Sequence, residues 1–464
     1  MGGMLSRRRF ASTLAATLTG GLPAQSASRP NLVIFLSDDH GVLDSEIYGS
    51  KSVRTPNMRR LAADGMVFTR AFVASPSCAP SRAALLTGLY PPRNGAEANH
   101  ARPKADLRKL PAFLKELGYE TAAFGKVSHY RYTPDYGFDH WGNDTFHDPK
   151  AIPAALEFLE KRDSAKPVCL FVGSNWPHVP WPENPEPFRP EEATLPAKSV
   201  DTPETRVSRA QYYAAVAKMD EELGKVYDLA QKKFGRNLIF LHTSDHGAQW
   251  PFGKWNLYDT GIRTPFVAVW PGVIQGGSRS EAMIQWIDIL PTLVELGGGK
   301  APTRIDGRSF APVLRGRAKE HRNEIFTTHS GDGNYNVYPI RSVRTGRWKY
   351  IRNLHPEFQH ATHTNRDGGR DGIVYWRSWE KAAQTDEKAR AVVQAFRQRP
   401  AEELYDLTHD PDELTNLAAD PKHAKTLADL RRQLDGWLQA TGDQVKVYGD
   451  PLPIGAEATL IRKP

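Results

Sequence analysis

Only two cysteines, Cys78 and Cys169, occur in 464 residues. They could form one disulfide at most, so a chain of this length must draw its stability from a packed core rather than from cross-links. No apolar stretch approaches the roughly 18 to 20 residues that a membrane-spanning helix needs, which argues against stable membrane insertion. There is no internal repeat, and low-complexity sequence is confined to Pro-rich loops such as residues 176–196. Zinc-finger spacing, RNP-like motifs and dense basic runs are absent, which argues against nucleic acid as a partner. The charge imbalance is small, a formal +8 to which Arg7, Arg8 and Arg9 contribute three. It is compatible with an anionic substrate drawn in by a positive field, and equally with ordinary surface composition.

What is present fits a globular protein: 40% hydrophobic and 25% charged residues, long enough for one large α/β domain with a smaller appendage or for two or three ordinary domains. The first residues stand apart. Ser6-Arg7-Arg8-Arg9-Phe10 precedes an uncharged stretch, residues 11–22, and then the small residues Ala24, Ser26, Ala27 and Ser28. This resembles a twin-arginine export signal spanning residues 1–28, and predicts a periplasmic or extracellular protein folded before export. Continuous apolar runs at 31–36, 168–172, 238–241 and 266–270 alternate with helical patterns at 106–117, 152–162 and 208–232. Such alternation predicts a large, mostly parallel sheet between helices, over residues 30–335. Beyond 335 the texture changes. Residues 341–351 read as two strands joined by a Thr-Gly turn, Glu403–Leu407 as a further strand, and 421–441 as a helix. Residues 336–464 are therefore expected to form a small antiparallel-sheet subdomain.

Several polar residues fall where a parallel sheet gathers its ligands. Asp38 and Asp39 end the first predicted strand, and Asp245 follows the strand beginning at Leu238, so acids some 200 residues apart in sequence could converge. Clustered carboxylates repel unless a cation neutralises them, and hard oxygen ligands suit Ca²⁺ or Mg²⁺. The same residues could instead cap the turns that follow. Cys169 lies in an apolar run and reads as a small buried hydrophobe, whereas Cys78 sits among Ser, Pro and Arg. Pro80 suits the first turn of a helix running to about Leu86, with Gly88 past its end. Cys78 would then stand at the helix N-terminus, where the dipole lowers a thiol pKa, with Arg82 bracing it. A nucleophilic and a structural role for Cys78 both remain open on these grounds.

The run Cys78-Ala79-Pro80-Ser81-Arg82, continuing to Leu86-Thr87-Gly88, resembles the signature of type I sulfatases. Further elements occur in the family's order: Asp38-Asp39, Gly125-Lys126 with His129, Trp176-Pro177-His178, residues 243–247, Lys254, residues 258–265 and residues 403–407. The resemblance covers nearly the whole chain after the signal. It implies an alkaline-phosphatase-like sulfatase fold. It also implies that a formylglycine-generating enzyme oxidises Cys78 to Cα-formylglycine (3-oxoalanine), whose hydrate attacks sulfur. On the same basis Asp38, Asp39, Asp245 and His246, with the modified Cys78, would hold Ca²⁺; many relatives have Asn in place of His246. Lys126, His178 and Lys254 would bind the sulfate oxygens, with His178 also placed to protonate the leaving atom. Arg82 and His129 would orient the formylglycine.

Residues 338–344 and 352–354 resemble the N-sulfoglucosamine sulfohydrolases, whereas the Lys-x-x-His spacing of Lys126 and His129 and the Asp245-His246 pair are similar to iduronate-2-sulfatases. Both imply a sulfated oligosaccharide as partner, probed as N-sulfo or O-sulfo, with heparan-type N-sulfoglucosamine the leading expectation and a 2-O-sulfated uronate the alternative. Trp176, Trp181, Trp250 and Trp255, with Asn99 and His100, could meet a sugar or simply pack. Three rival readings are a phosphomonoester, diester or phosphonate hydrolase of the same superfamily, a non-enzymatic glycan binder, and an unmodified cysteine hydrolase. A homo-oligomer remains open.

Overall fold

The computed structural model describes residues 1–2, 29–367, 373–456 and 461. The expected export signal, apart from its first two residues, lies outside the described residues. The predicted apolar runs pair with one another. Asn31–Ser37, wholly buried, is flanked in parallel by Val168–Gly173 on one side and Leu238–Ser244 on the other. Glu120–Gly125 extends the sheet, again in parallel, beyond Val168–Gly173. Strands with no solvent face need no polar alternation, which is why they read as continuous apolar sequence. The full sheet has eight strands, in the order 140–142, 120–125, 168–173, 31–37, 238–244, 266–269, 66–68 and 278–280. Phe266–Val269 runs antiparallel to both neighbours, so the sheet is mixed but mostly parallel.

The longest helix, Pro203–Phe234, starts at Thr202, whose side chain accepts from the Thr205 N–H. Its buried face carries Tyr212, whose hydroxyl donates to the Asp39 carbonyl at 2.8 Å and so ties the helix to the end of the central strand. The helix expected from Asp106 begins only at Leu110. Pro111, suited to a first helical turn, marks the true start.

The C-terminal sheet orders Glu324–His329, Ile340–Thr345, Trp348–Asn353 and Glu402–Asp406, all antiparallel. Its first strand thus precedes the change of texture near residue 335. Helix Ala424–Thr441 packs on this sheet through Leu427, Leu430, Leu434 and Trp437, a stripe of helical period. Two helices, Ile373–Ala382 and Glu387–Arg397, were not expected from the sequence. The first is fastened to the long helix by Trp379, whose Nε1 donates to Thr205 Oγ1 at 2.7 Å.

The seam between the two sheets is ionic. Asp259 accepts from Nε and Nη2 of Arg344 at 3.0 Å each and from Lys349 Nζ at 2.5 Å. Glu413 pairs with Lys349 at 2.8 Å and accepts from the Asp259 N–H at 2.6 Å. The Tyr258 hydroxyl donates to Glu403 at 2.7 Å. The segment just after Lys254 is therefore clamped to the C-terminal strands.

Candidate active site

Four adjacent parallel strands deliver the site from their carboxyl ends. Glu120–Gly125 leads into Lys126, Val168–Gly173 into the loop carrying His178, Asn31–Ser37 into Asp38 and Asp39, and Leu238–Ser244 into Asp245 and His246. This is the crevice where open α/β sheets bind ligands. Lys126 enters it because the backbone crosses itself tightly: its N–H donates to the Gly173 carbonyl at 2.9 Å. A Cβ at Gly173 would lie 2.1 Å from the Lys126 carbonyl oxygen, and one at Gly125, whose φ is +75°, 2.1 Å from the Gly173 oxygen. Only glycine fits either position. Asp39 itself is held at φ +66°, uncommon for a residue with a side chain and of the kind that clusters at functional sites.

The fifth contributor is helix Cys78–Thr87, capped by Gly88 at φ +68° as the sequence predicted. It places Cys78 Sγ 3.4 Å from His246 Nε2, 3.5 Å from Lys126 Nζ and 3.8 Å from Asp38 Oδ1. One turn on, the Arg82 Nε donates to Asp245 at 2.9 Å and its Nη2 to Asp38 at 3.4 Å. Lys126 donates to Asp38 at 2.5 Å, and Lys254 to both oxygens of Asp39 at 2.9 Å. His178 Nε2 stands 3.9 Å from Asp39. Three carboxylates thus face Arg82, Lys126 and Lys254, and all six side chains are essentially inaccessible to solvent.

The titration behaviour follows from this crowding. Burial pushes Asp38 up, but Lys126, His178 and Arg82 hold it well below the usual carboxylate range. Asp39 goes the other way, up to about 8, because burial and the neighbouring Asp38 and Asp245 outweigh Lys254. Burial likewise lifts Asp245, to about 6, against the pull of Arg82. One expectation is overturned here. The helix N-terminus does not lower the Cys78 thiol, because desolvation pushes it up to about 12 against both lysines.

Donor atoms of Asp38, Asp39, Cys78 and His246 all lie within 4.8 Å of one another and could hold a metal ion. His246 is prepared for this. Its Nδ1 donates to the Gly247 carbonyl at 3.1 Å, leaving the Nε2 lone pair toward the cluster, the usual arrangement of a ligating histidine. Asp245 borders the group, its Oδ1 accepting from the Asp39 N–H at 3.1 Å. The raised carboxylates are what a divalent cation would relieve, so the residues fit one. With an unmodified thiol the set is mixed; with oxygen in place of sulfur at position 78 it becomes oxygen-rich, as a hard cation prefers.

The Nε2 of His129 meets the Nδ1 of His100 at 2.7 Å. Trp250 stacks on Tyr375 at 4.4 Å and Trp255 on His363 at 4.9 Å, both buried, so they pack rather than wait for a sugar. The sequence reading missed Asp332, which accepts from Trp255 Nε1 at 2.8 Å and Asn99 Nδ2 at 3.0 Å. Its flanking glycines, Gly331 and Gly333, were the one local signal.

This geometry belongs to a hydrolase of sulfate esters or sulfamates: the sulfatase family profile matches residues 30–299, and the chain belongs to that family. A second profile, the N-sulphoglucosamine sulphohydrolase C-terminal region, matches residues 246–363. Among curated relatives, an ulvan-active sulfatase of Formosa agariphila is 34% identical over 90% of this chain and 81% of its own length. Human N-sulphoglucosamine sulphohydrolase is 27% identical over 90% and 91%. A solved structure in complex with its substrate, D-glucosamine-2-N,6-O-disulfate, superposes with a TM-score of 0.70 at 21% identity, covering 90% of this chain and 99% of that one. The fold is the alkaline-phosphatase-like sulfatase fold. Among the described residues, no helix is long and apolar enough to cross a membrane.

Proposed function

We propose that this chain is an exported, calcium-dependent sulfatase that removes sulfo groups from sulfated glycans, with N-sulfoglucosamine of heparan type as its leading substrate and Cys78 converted to formylglycine. The observation that carries the reading is the convergence of Asp38, Asp39, Lys126, His178, Asp245 and His246, from four neighbouring strand ends, around Cys78. The converted residue supplies an oxygen nucleophile with a second hydroxyl, and the cation supplies a Lewis acid. Because the carboxylates and the three side-chain cations already balance, a bound divalent ion leaves the pocket net positive and matched to a sulfo anion. Lys126 and Lys254 are fixed, desolvated donors for sulfuryl oxygens, where such groups act most strongly. The Nδ1 of His178 donates to the Val179 carbonyl at 2.6 Å, which turns Nε2 into the pocket; Nε2 can protonate the leaving atom only after the ring has taken up a second proton, which burial and the charges of Lys254 and Lys126 oppose. Glycan specificity draws support from what the relatives' names say they act on: ulvan, N-sulphoglucosamine and the 2-O-sulfo group of a Δ4,5-hexuronate.

Mass spectrometry of the peptide spanning Cys78, from protein of the native host, is expected to show one sulfur and two hydrogens replaced by one oxygen. Desulfation assays would then rank N-sulfo against 2-O- and 6-O-sulfo disaccharides. An unmodified thiol in active enzyme would overturn the assignment. Two further results are expected. Lys254→Ala should lower kcat/KM by about 10²- to 10³-fold, the scale of losing one preorganised donor. Chelation should lower thermal stability, and Ca²⁺ at a hundred times its Kd should restore about 2.7 kcal/mol; an unchanged melting curve would remove the cation from Asp38 and Asp39.

A further inference from the structure

The hydrogen bonds around His129 define where its protons sit. Asp332 is buried, and although burial pushes its pKa up, His363, His100 and Asn99 hold it well below the usual range, so it is an acceptor only. Its Oδ2 already accepts from Trp255 and Asn99, which leaves Oδ1, 3.2 Å from His100 Nε2. His100 must therefore carry hydrogen on Nε2. A hydrogen on the buried His129 Nδ1, which has no acceptor, would be stranded, so His129 carries it on Nε2 and donates it to the bare Nδ1 of His100 at 2.7 Å. The remaining lone pair of His129 is then on Nδ1, which is buried and without a hydrogen-bond partner. Burial, with the charge on Lys126, keeps this ring neutral.

The chain of groups is firmly built. The Asn99 N–H donates to the Gly331 carbonyl at 2.9 Å, fixing the Asp332 segment from the C-terminal half against the loop carrying His100. The Asn99 Oδ1 in turn accepts from the Ala79 N–H at 3.1 Å, next to Cys78. His100 is held at φ +64°, a conformation retained only where surroundings enforce it.

We propose that Asp332 and His100 are positioning residues that fix His129 as its Nε2–H tautomer, presenting Nδ1 as a buried proton acceptor for the hydroxyl chemistry at position 78. The use of that acceptor rests on the function proposed above; the tautomer does not. When Nδ1 takes a proton from a hydroxyl, the O–H electron pair stays on oxygen. The Nε2 proton of His129 can then shift to His100 Nδ1, placing the new positive charge beside the Asp332 carboxylate. This is the task a carboxylate performs for a catalytic imidazole, extended by one ring.

Asp332→Asn gives a sharp test. The two donors at Oδ2 keep the amide oxygen there, so the amide nitrogen faces His100 and donates to it. His100 must then carry its proton on Nδ1, and His129 on Nδ1 as well. Long-range ¹⁵N–¹H correlation on full-length, histidine-labelled protein with unmodified Cys78 reads these states without turnover. The expected result is a bare Nδ1 on His129 in the native sequence and a protonated one in Asp332→Asn. In the converted enzyme, kcat should fall by about 10²- to 10⁴-fold with little change in KM. Should Asp332→Asn fail to fold, the exposed His100 offers a second pair. His100→Gln can donate to Asp332 and accept from His129, preserving the tautomer and retaining activity within about tenfold, the scale of a partial loss in general base catalysis. His100→Ala can do neither. A native His129 protonated on Nδ1, or equal activities for His100→Gln and His100→Ala, would overturn the proposal. The expected tautomer in a converted enzyme with no sulfatase turnover would overturn the proposed function instead, leaving the proton assignment intact.

Discussion

Cys78→Ala is expected to fold normally and to lose at least about 10⁴-fold in desulfation rate, the scale seen when a nucleophile is removed from a site whose other parts stay in place. The asymmetry between fold and activity comes from the contacts. Sγ makes only long approaches, 3.4 to 3.8 Å, to His246, Lys126 and Asp38, and a thiol pushed up to about 12 contributes no charge to the ion network. Alanine keeps the helix, and the pairs of Arg82, Lys126 and Lys254 with their acids do not involve sulfur. The check is initial rate on a sulfated disaccharide alongside a thermal melt. Activity within tenfold of the parent would place the nucleophile elsewhere. The same thiol pKa weighs against an unmodified cysteine hydrolase, whose thiolate would be scarce at neutral pH.

Asp259→Ala should be strongly destabilising, by about 3 to 5 kcal/mol, because it removes the only carboxylate paired with Arg344 among the described residues and leaves Lys349 with Glu413 alone in a buried seam. Urea unfolding followed by fluorescence would measure it; a loss under about 1 kcal/mol would mean the seam is solvated. The pH response has a defined sign. Although burial raises it, Arg344 and Lys349 depress the Asp259 carboxyl far below its ordinary value. Its stabilisation is complete above the unfolded pKa and is lost only as pH falls through the depressed folded one. The interlock should therefore persist in mild acid. Activity should fall with stability, since Lys254 lies only five residues before Asp259 and shares its clamp.

The parts of this architecture that were legible in the sequence are those written in local pattern. Apolar runs without alternation gave the buried parallel strands, and Pro80 with Gly88 bracketed the helix of Cys78. The acids at strand ends followed from the topology that such runs imply. What escaped was decided by contacts over long separations. Asn99 meets Asp332 across 233 residues and His129 meets His100 across 29, and no spacing rule encodes either pair. The Cys78 thiol was misjudged because a helix dipole is visible in sequence, whereas the burial that overrides it is not. Helix Ile373–Ala382 had a usable signal, the aromatic residues Tyr375, Trp376 and Trp379 at helical spacing, set within otherwise polar sequence.

Residues 77–87 are all buried in the folded chain. Under the proposed function, an enzyme that converts Cys78 would meet this stretch exposed only before the chain has collapsed around it. Conversion and folding would then compete, since exposing the segment again would require withdrawing a fully buried helix from the fold. A population of this protein would then hold a converted and an unconverted fraction whose ratio is set during synthesis. Specific activity would thus record the synthesis conditions of a cell rather than its present state.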